Sequence, residues 1–325
     1  MSVIQPVVRD TDRDRVAEKV RAAVETGGRD RNEGLFKAAL LSTLAFALLV
    51  LAVLLFDIIT DAWPVFAERL GILMANPTRS RADETGIFQG LRGTFWIGIF
   101  VILLTFPIGI AAAIYLEEYA PDNRLTRLIN INIRNLAGVP SVVYGILGLT
   151  IFVGLLKGVY GDYAISRGNT TTAGGLTLAA LALPVVIITS AEAIRAVPSS
   201  LREAAYGVGA TKWEVIKSHV LPYAAPGILT GTLLSLARAL GEAAPLILVG
   251  AVQGRLGPNT GFFGLEQMGE KFTAMPIVIT DLASQPGPDW IPVTSAAIVV
   301  LLLVVLSFNA AAVFLRNRFE AKREG

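Results

Sequence analysis

Two charged residues, Arg238 and Glu242, lie inside an apolar stretch from about Pro226 to Val252 that is long enough to cross a bilayer. On a continuous helix they fall at i and i+4, close to the bilayer centre and on one face, where they can pair. Burying either one alone costs about 2.5–3.5 kcal/mol on the translocon scale, so such residues face a bundle interior or a water-filled path. Two uses fit the pair. In one it is a neutralised clasp between helices. In the other the Arg238 guanidinium offers a fixed, fork-shaped cation to an oxyanion in transit, and Glu242 weakens the hold enough for release. A second spaced pair, Glu192 and Arg195, ends the preceding apolar stretch, either as snorkelling interfacial ends or as a candidate gate. Glu117 and Glu118 close an earlier stretch and read as a solvated rim at the membrane face.

The polar segment before Pro226 holds a second group of informative residues. Ser200-Leu-Arg-Glu203 has the S-x-x-E form of a capping box, which predicts a helix from Leu201. Thr211-Lys-Trp-Glu214 is a second box, and its helix carries Lys217 and His219 in the last turn, where cations suit the dipole. Gly207 and Gly209 separate the two. A pair of short helices meeting at a glycine corner makes a knob beyond the bilayer, with Ala204 and Ala205 small enough for a partner backbone to approach and Trp213 as an interfacial anchor. In the apolar half, Gly227, Gly231 and Ser235 form a stripe of small residues suited to close helix packing.

The elements that must position these residues are membrane helices. Of 325 residues, 53% are hydrophobic and 17% charged, and the apolar residues come in blocks, which places the chain in the all-α membrane class. Six segments reach bilayer length: about 35–56, 94–116 (interrupted by Pro107), 136–156 (with Pro140), 173–196 (with Pro184), 226–252 and 293–315. The net charge of +2 gives no argument for nucleic acid, and the absence of Cys with a single His (His219) leaves no thiol chemistry and no metal cluster. No G-x-x-x-x-G-K-[ST] run occurs, so any ATP energy comes from another subunit. Six crossings put both termini on one side, where Lys and Arg number 19 against 8 on the other. The positive-inside rule then predicts cytoplasmic termini and a cytoplasmic loop at 197–225. The expected organisation is a polar tail (1–34) whose short helix stops at Gly27-Gly28, a first transmembrane helix (35–56), an extracytoplasmic loop (57–92), a core (90–315) and a short tail (316–325). Residues 272–286 lie at the interface or pack back on the bundle, with equal support.

Glu203-Ala204-Ala205, then Gly209, then Leu221-Pro222 resembles the EAA loop of binding-protein-dependent ABC importer permeases, with His219 where that motif has Ile. The runs IYLEEYAPDNRLTRLI (114–129), NLAGVPSVVYGILGL (135–149), ALPVVIITSAEAIRAVPSSLREAAYGVGATKW (182–213) and LPYAAPGILTGTLLSLARALGEAAPLILVGA (221–251) are similar to the A-type permeases of Pst phosphate importers. They span most of 90–315, and the tail 1–34 falls outside. The resemblance implies a type I ABC importer permease fold in a bacterial-type cytoplasmic (inner) membrane. It implies that the 197–225 loop is a coupling helix seated in an ATPase cleft through Glu203, Ala204, Ala205 and Gly209, with Leu221 and Pro222 completing the signature. It also implies that Arg238 and Glu242 are needed for transport. The implied partners are a sister permease (PstC-type), a dimer of ATPase subunits (PstB-type) that binds ATP and Mg, an extracytoplasmic phosphate-binding protein (PstS-type), phosphate and membrane lipid. The chain itself would be no enzyme and hold no cofactor. Importers of molybdate, sulfate or phosphonate remain alternatives. A membrane-embedded lipid-phosphate hydrolase and a passive channel or scaffold are weaker ones, since the first lacks a nucleophile or metal ligands and the second needs no coupling loop.

Overall fold

The computed structural model describes residues 15, 18–19, 31–78, 80–160, 169–252, 261–264, 268 and 270–321. Most of the predicted helix of the N-terminal tail, apart from the helical residues 15 and 18–19, its Gly27-Gly28 stop, the outer cations Arg79, Arg167 and Arg255, and residues 322–325 lie outside these. The described residues are helical, without strands, and six helices among them are long and apolar enough to cross a membrane.

The chain divides into two compact units, 1–57 and 58–325. In the first, the described part is residues 15 and 18–19 and the start of α1 (Arg31–Glu68), a helix twelve residues longer at its far end than the expected 35–56. Its most apolar stretch is exposed all round, the pattern of a helix whose partners are lipid or other chains.

The second unit is a bundle. Its membrane-length members are α2 (Phe88–Ile114), the run α4 (Ser141–Leu147) to α5 (Gly154–Tyr160), α6 (Thr171–Arg195), α9 (Leu221–Leu240) and α12 (Trp290–Ala321). One core joins Ile97 and Val101 of α2, Leu178 and Ala182 of α6, and Leu233, Leu236 and Leu240 of α9. Phe272 and Ile277 complete it, the latter from α11 (Met275–Ala283). A second core gathers Met275, Val278 and Leu282 of α11 with Val293, Ala296 and Val300 of α12. The 272–286 segment therefore packs back on the bundle, carried by a helix with Pro276 in its first turn and buried Met275, Ile277 and Val278. Outside the bundle, the exposed Arg81 donates to Asp83 at 2.7 and 3.1 Å and holds its carboxyl below the usual carboxylate range.

Several boundaries differ from expectation, each for a local reason. Pro107 does not interrupt α2, which runs on through a π-turn at Tyr115–Tyr119; the proline sits on an exposed face of the helix, and membrane helices tolerate such a residue. The third span begins at Ser141 instead of Leu136. Residues Arg124–Ala137 form a separate amphipathic helix, α3, capped by Asn123, and Pro140 holds an extended turn (φ −55°, ψ 138°) between the two. The fifth span runs from Lys212 to Leu240 instead of Pro226 to Val252, with α9 as its last part. Gly241 caps it, and the chain breaks before the short α10 (Ala244–Leu248), which Pro245 starts.

Candidate functional site

The cleft around Arg238 is built by two breaks in the helical pattern and one close helix contact. α9 ends two residues after Arg238, and the Arg238 carbonyl accepts the Gly241 amide at 3.1 Å. Glu242 therefore lies past the helix end, where the i, i+4 geometry no longer applies, and no ion pair joins Arg238 and Glu242 among the described residues. Both instead line one narrow cleft, with a cavity volume of about 20 Å³. Its other walls are Leu136 and Ala137 at the end of α3, Val139, Ser141 and Tyr144 across the Pro140 turn, and Leu181, Ala182 and Val185 of α6. The Tyr144 hydroxyl donates to the Leu136 carbonyl at 3.0 Å and ties α4 to α3 over that turn. A Cβ at Gly145 would lie 2.8 Å from the Pro245 Cα, so the absence of a side chain lets α10 seat directly on α4.

The small-residue stripe packs as predicted. Gly231 faces the Thr189 side chain, a Cβ at Gly227 would come within 2.9 Å of the Ala193 Cβ, and the buried Ser235 hydroxyl donates to the Ala182 carbonyl at 3.3 Å. Arg238 lies beside this seam rather than in it. It continues an exposed stripe with Thr230 and Leu234, the face of α9 that its own chain leaves uncovered.

The loop between the fourth and fifth spans begins with α7 (Ser199–Gly207), whose N-cap is Pro198. The helix starts before Ser200, so Ser200 is an internal residue and the first predicted capping box does not form. The second does: Thr211 accepts from the Glu214 amide and Glu214 accepts from the Thr211 amide. The helix it starts, α8 (Lys212–Val215), does not end at His219. A π-turn (Ile216–Val220) holding Lys217 and His219 carries it straight into α9, giving a single span of 29 residues. The knob is thus one short helix hinged on the first turn of the fifth span. Gly209, at φ +86°, makes the corner, a left-handed conformation that costs other residues about 1–2 kcal/mol. Glu203, Ala204, Gly209 and Pro222 are exposed and Leu221 half-buried, whereas Ala205 is 5% exposed and packs inward on Val197 and Val215.

Glu117 and Glu118 are not a solvated rim. Their side chains are only 14% and 8% exposed. Glu117 accepts from Arg195 Nε at 3.1 Å, and Glu118 from Arg202 Nη2 at 3.0 Å. Glu192 and Arg195 consequently part company: Arg195 reaches Glu117, and Glu192 stands 4.0 Å from Arg134 of α3. Sequence reasoning missed these partners because 78 and 84 residues separate them. The one available signal was a Glu-Glu pair and three cations assigned to the same side.

Six apolar spans joined by a polar loop define a multi-pass membrane protein. The chain belongs to the family described as the binding-protein-dependent transport system inner membrane component, whose model matches residues 105–322. It is 32% identical over 275 residues to the phosphate transport system permease protein PstA 1 of Mycobacterium tuberculosis (strain CDC 1551 / Oshkosh), spanning 83% of this chain and 84% of that one. To the phosphate transport system permease protein PstA of Haemophilus influenzae it is 30% identical, over 83% and 87%. Among solved structures, a bacterial alginate ABC transporter in complex with its periplasmic protein superposes with a TM-score of 0.63 at 16% identity. That match covers 89% of this chain and 96% of the other, and shows the ABC importer permease fold.

Proposed function

We propose that the chain is a transmembrane permease subunit of an ATP-driven phosphate importer. The placement of Arg238 carries this reading: a guanidinium with no acidic partner in contact among the described residues, at a helix break, open to a cleft whose other charge is Glu242. Such a cation binds an oxyanion through its planar fork, and the nearby carboxylate limits how tightly the anion is held. The choice of phosphate rests on the likeness to the two phosphate transport permeases.

In this reading the uncovered face of α9 meets a sister permease, and the path runs between the two chains. The knob at 199–209 faces the cytoplasm and docks on an ATPase subunit through Glu203, Ala204 and the Gly209 corner. An ATPase dimer binds ATP and Mg, and an extracytoplasmic binding protein delivers the anion to the outer side. ATP binding closes the ATPase pair, the knob moves with it, and the bundle opens outward. Hydrolysis resets it. This chain supplies path and coupling and makes or breaks no covalent bond.

Uptake of labelled phosphate tests the substrate, in cells lacking other high-affinity phosphate import and expressing this chain with its partner subunits. ATP-dependent uptake that persists under excess molybdate, sulfate or phosphonate is expected. Transport of one of those anions in place of phosphate would overturn the phosphate assignment while leaving the permease reading intact.

A further inference from the structure

The π-turn that closes α2 makes contacts that neither the cleft nor the docking surface uses. Three consecutive residues of this turn each engage a different cation of the 195–212 segment. Glu117 takes Arg195, Glu118 takes Arg202, and the Tyr119 ring lies 4.8 Å beneath the Lys212 ammonium. Successive helical side chains point about 100° apart, so the three cations approach the helix end from different sides. Arg202 is the best anchored of them. Besides Glu118 it donates to the carbonyls of Val197 (2.6 Å) and Ile194 (2.9 Å), and thereby fixes α7 to the end of α6 as well. Below these polar contacts Ala113 packs with Ile194, Val197, Ala205 and Val220, so an apolar floor underlies the three charged contacts. Exposed ion pairs are weak because water screens them, but Glu118 is 8% exposed and Arg202 23%, which favours a fixed geometry. π-turns inside helices recur at functional positions.

We propose that Glu117–Tyr119 is the handle by which the knob grips α2, so that the 195–212 segment and the end of α2 move as one body during transport. Glu118 and Arg202 are the main positioning residues. The inference rests on the coupling role proposed above. It assigns the first connection inside this chain: a push on α7 reaches α2 and α6 directly through Arg202, and reaches α9 through Lys212, the first residue of the helix that continues into it.

The test uses the assembled transporter in liposomes, read as phosphate moved per ATP hydrolysed, a ratio that a change in stability alone does not alter. The chain has no cysteine of its own, so Glu118→Cys with Arg202→Cys can be joined by a short thiol cross-linker. Coupling energies correspond to roughly 5–150-fold effects, and the uncross-linked double variant is expected to lose about tenfold in phosphate per ATP. Cross-linking is expected to restore most of that loss, because the joined parts move together. A cross-link that stops uptake would overturn the proposal, as would an unchanged ratio in Glu118→Gln. Should the double variant fail to assemble, Arg202→Lys serves instead, since it keeps the charge and loses the fork; full coupling in that variant would overturn the role of the Arg202 fork. Glu203→Lys run in parallel separates the two levels. If it stays fully coupled, the coupling reading itself fails; if it uncouples while the Glu118 variants do not, only the handle fails.

Discussion

At the scale of single residues, Arg238 and Tyr144 share one cleft but do different things there. Arg238 presents a charge to open space, while Tyr144 spends its hydroxyl on the Leu136 carbonyl and holds the cleft's wall in place. Tyr144→Phe should therefore cost about 1 kcal/mol of stability, the usual net worth of one hydrogen bond, and leave uptake largely intact; thermal unfolding of the purified protein and an uptake assay check both parts. The sequence marked Arg238 and Glu242 because charge in an apolar segment is rare and expensive. It could not mark Tyr144 or Ser141, which look like ordinary members of a span until the Pro140 turn brings them beside α6. Nor could it show that Glu118 is buried against Arg202, because ion pairing over such a separation depends on how the helices pack.

At the scale of elements, local signals placed the helices and misjudged their ends. All six apolar segments are helical, and the Thr211 box, the Gly209 corner and the small-residue stripe appear where spacing put them. The fifth span was misplaced at both ends for opposite reasons. Polar residues before Pro226 hid a helix already under way from Lys212, and apolar residues after Gly241 hid a helix that had stopped. Hydropathy reports partition into lipid, whereas Gly241 and Pro245 decide where backbone hydrogen bonding ends. The stripe itself gives a test of packing. Gly231→Val would place two branch methyls against Thr189, and overpacking of this kind costs about 1–3 kcal/mol; a lowered melting temperature with α6 and α9 forced apart is the expected result. For the knob, Glu203→Lys reverses the charge of an exposed docking residue. It should leave the fold intact and cut the stimulation of ATP hydrolysis by loaded binding protein, measured on the purified complex. Full stimulation would count against the docking role.

At the scale of the whole molecule, the bundle formed by 58–325 leaves exposed, among its described residues, the Thr230–Leu234–Arg238 stripe of α9 and much of α3, including Leu125, Leu128 and Ile131. The most apolar stretch of α1, described by itself, is exposed throughout. Such exposed faces agree with membership of a family described as the inner membrane component of a transport system. The excess of Lys and Arg on the side of the knob supports placing it in the cytoplasm, where ATP is available. The central claim is that phosphate crosses beside Arg238 while ATP is consumed at the far end of the knob. Its most direct test is ATP-driven accumulation of labelled phosphate by proteoliposomes holding the complete transporter, comparing the natural chain with Arg238→Ala. We expect accumulation with the natural chain and none with the variant, although the variant still co-purifies with its ATPase; normal accumulation by Arg238→Ala would contradict the claim.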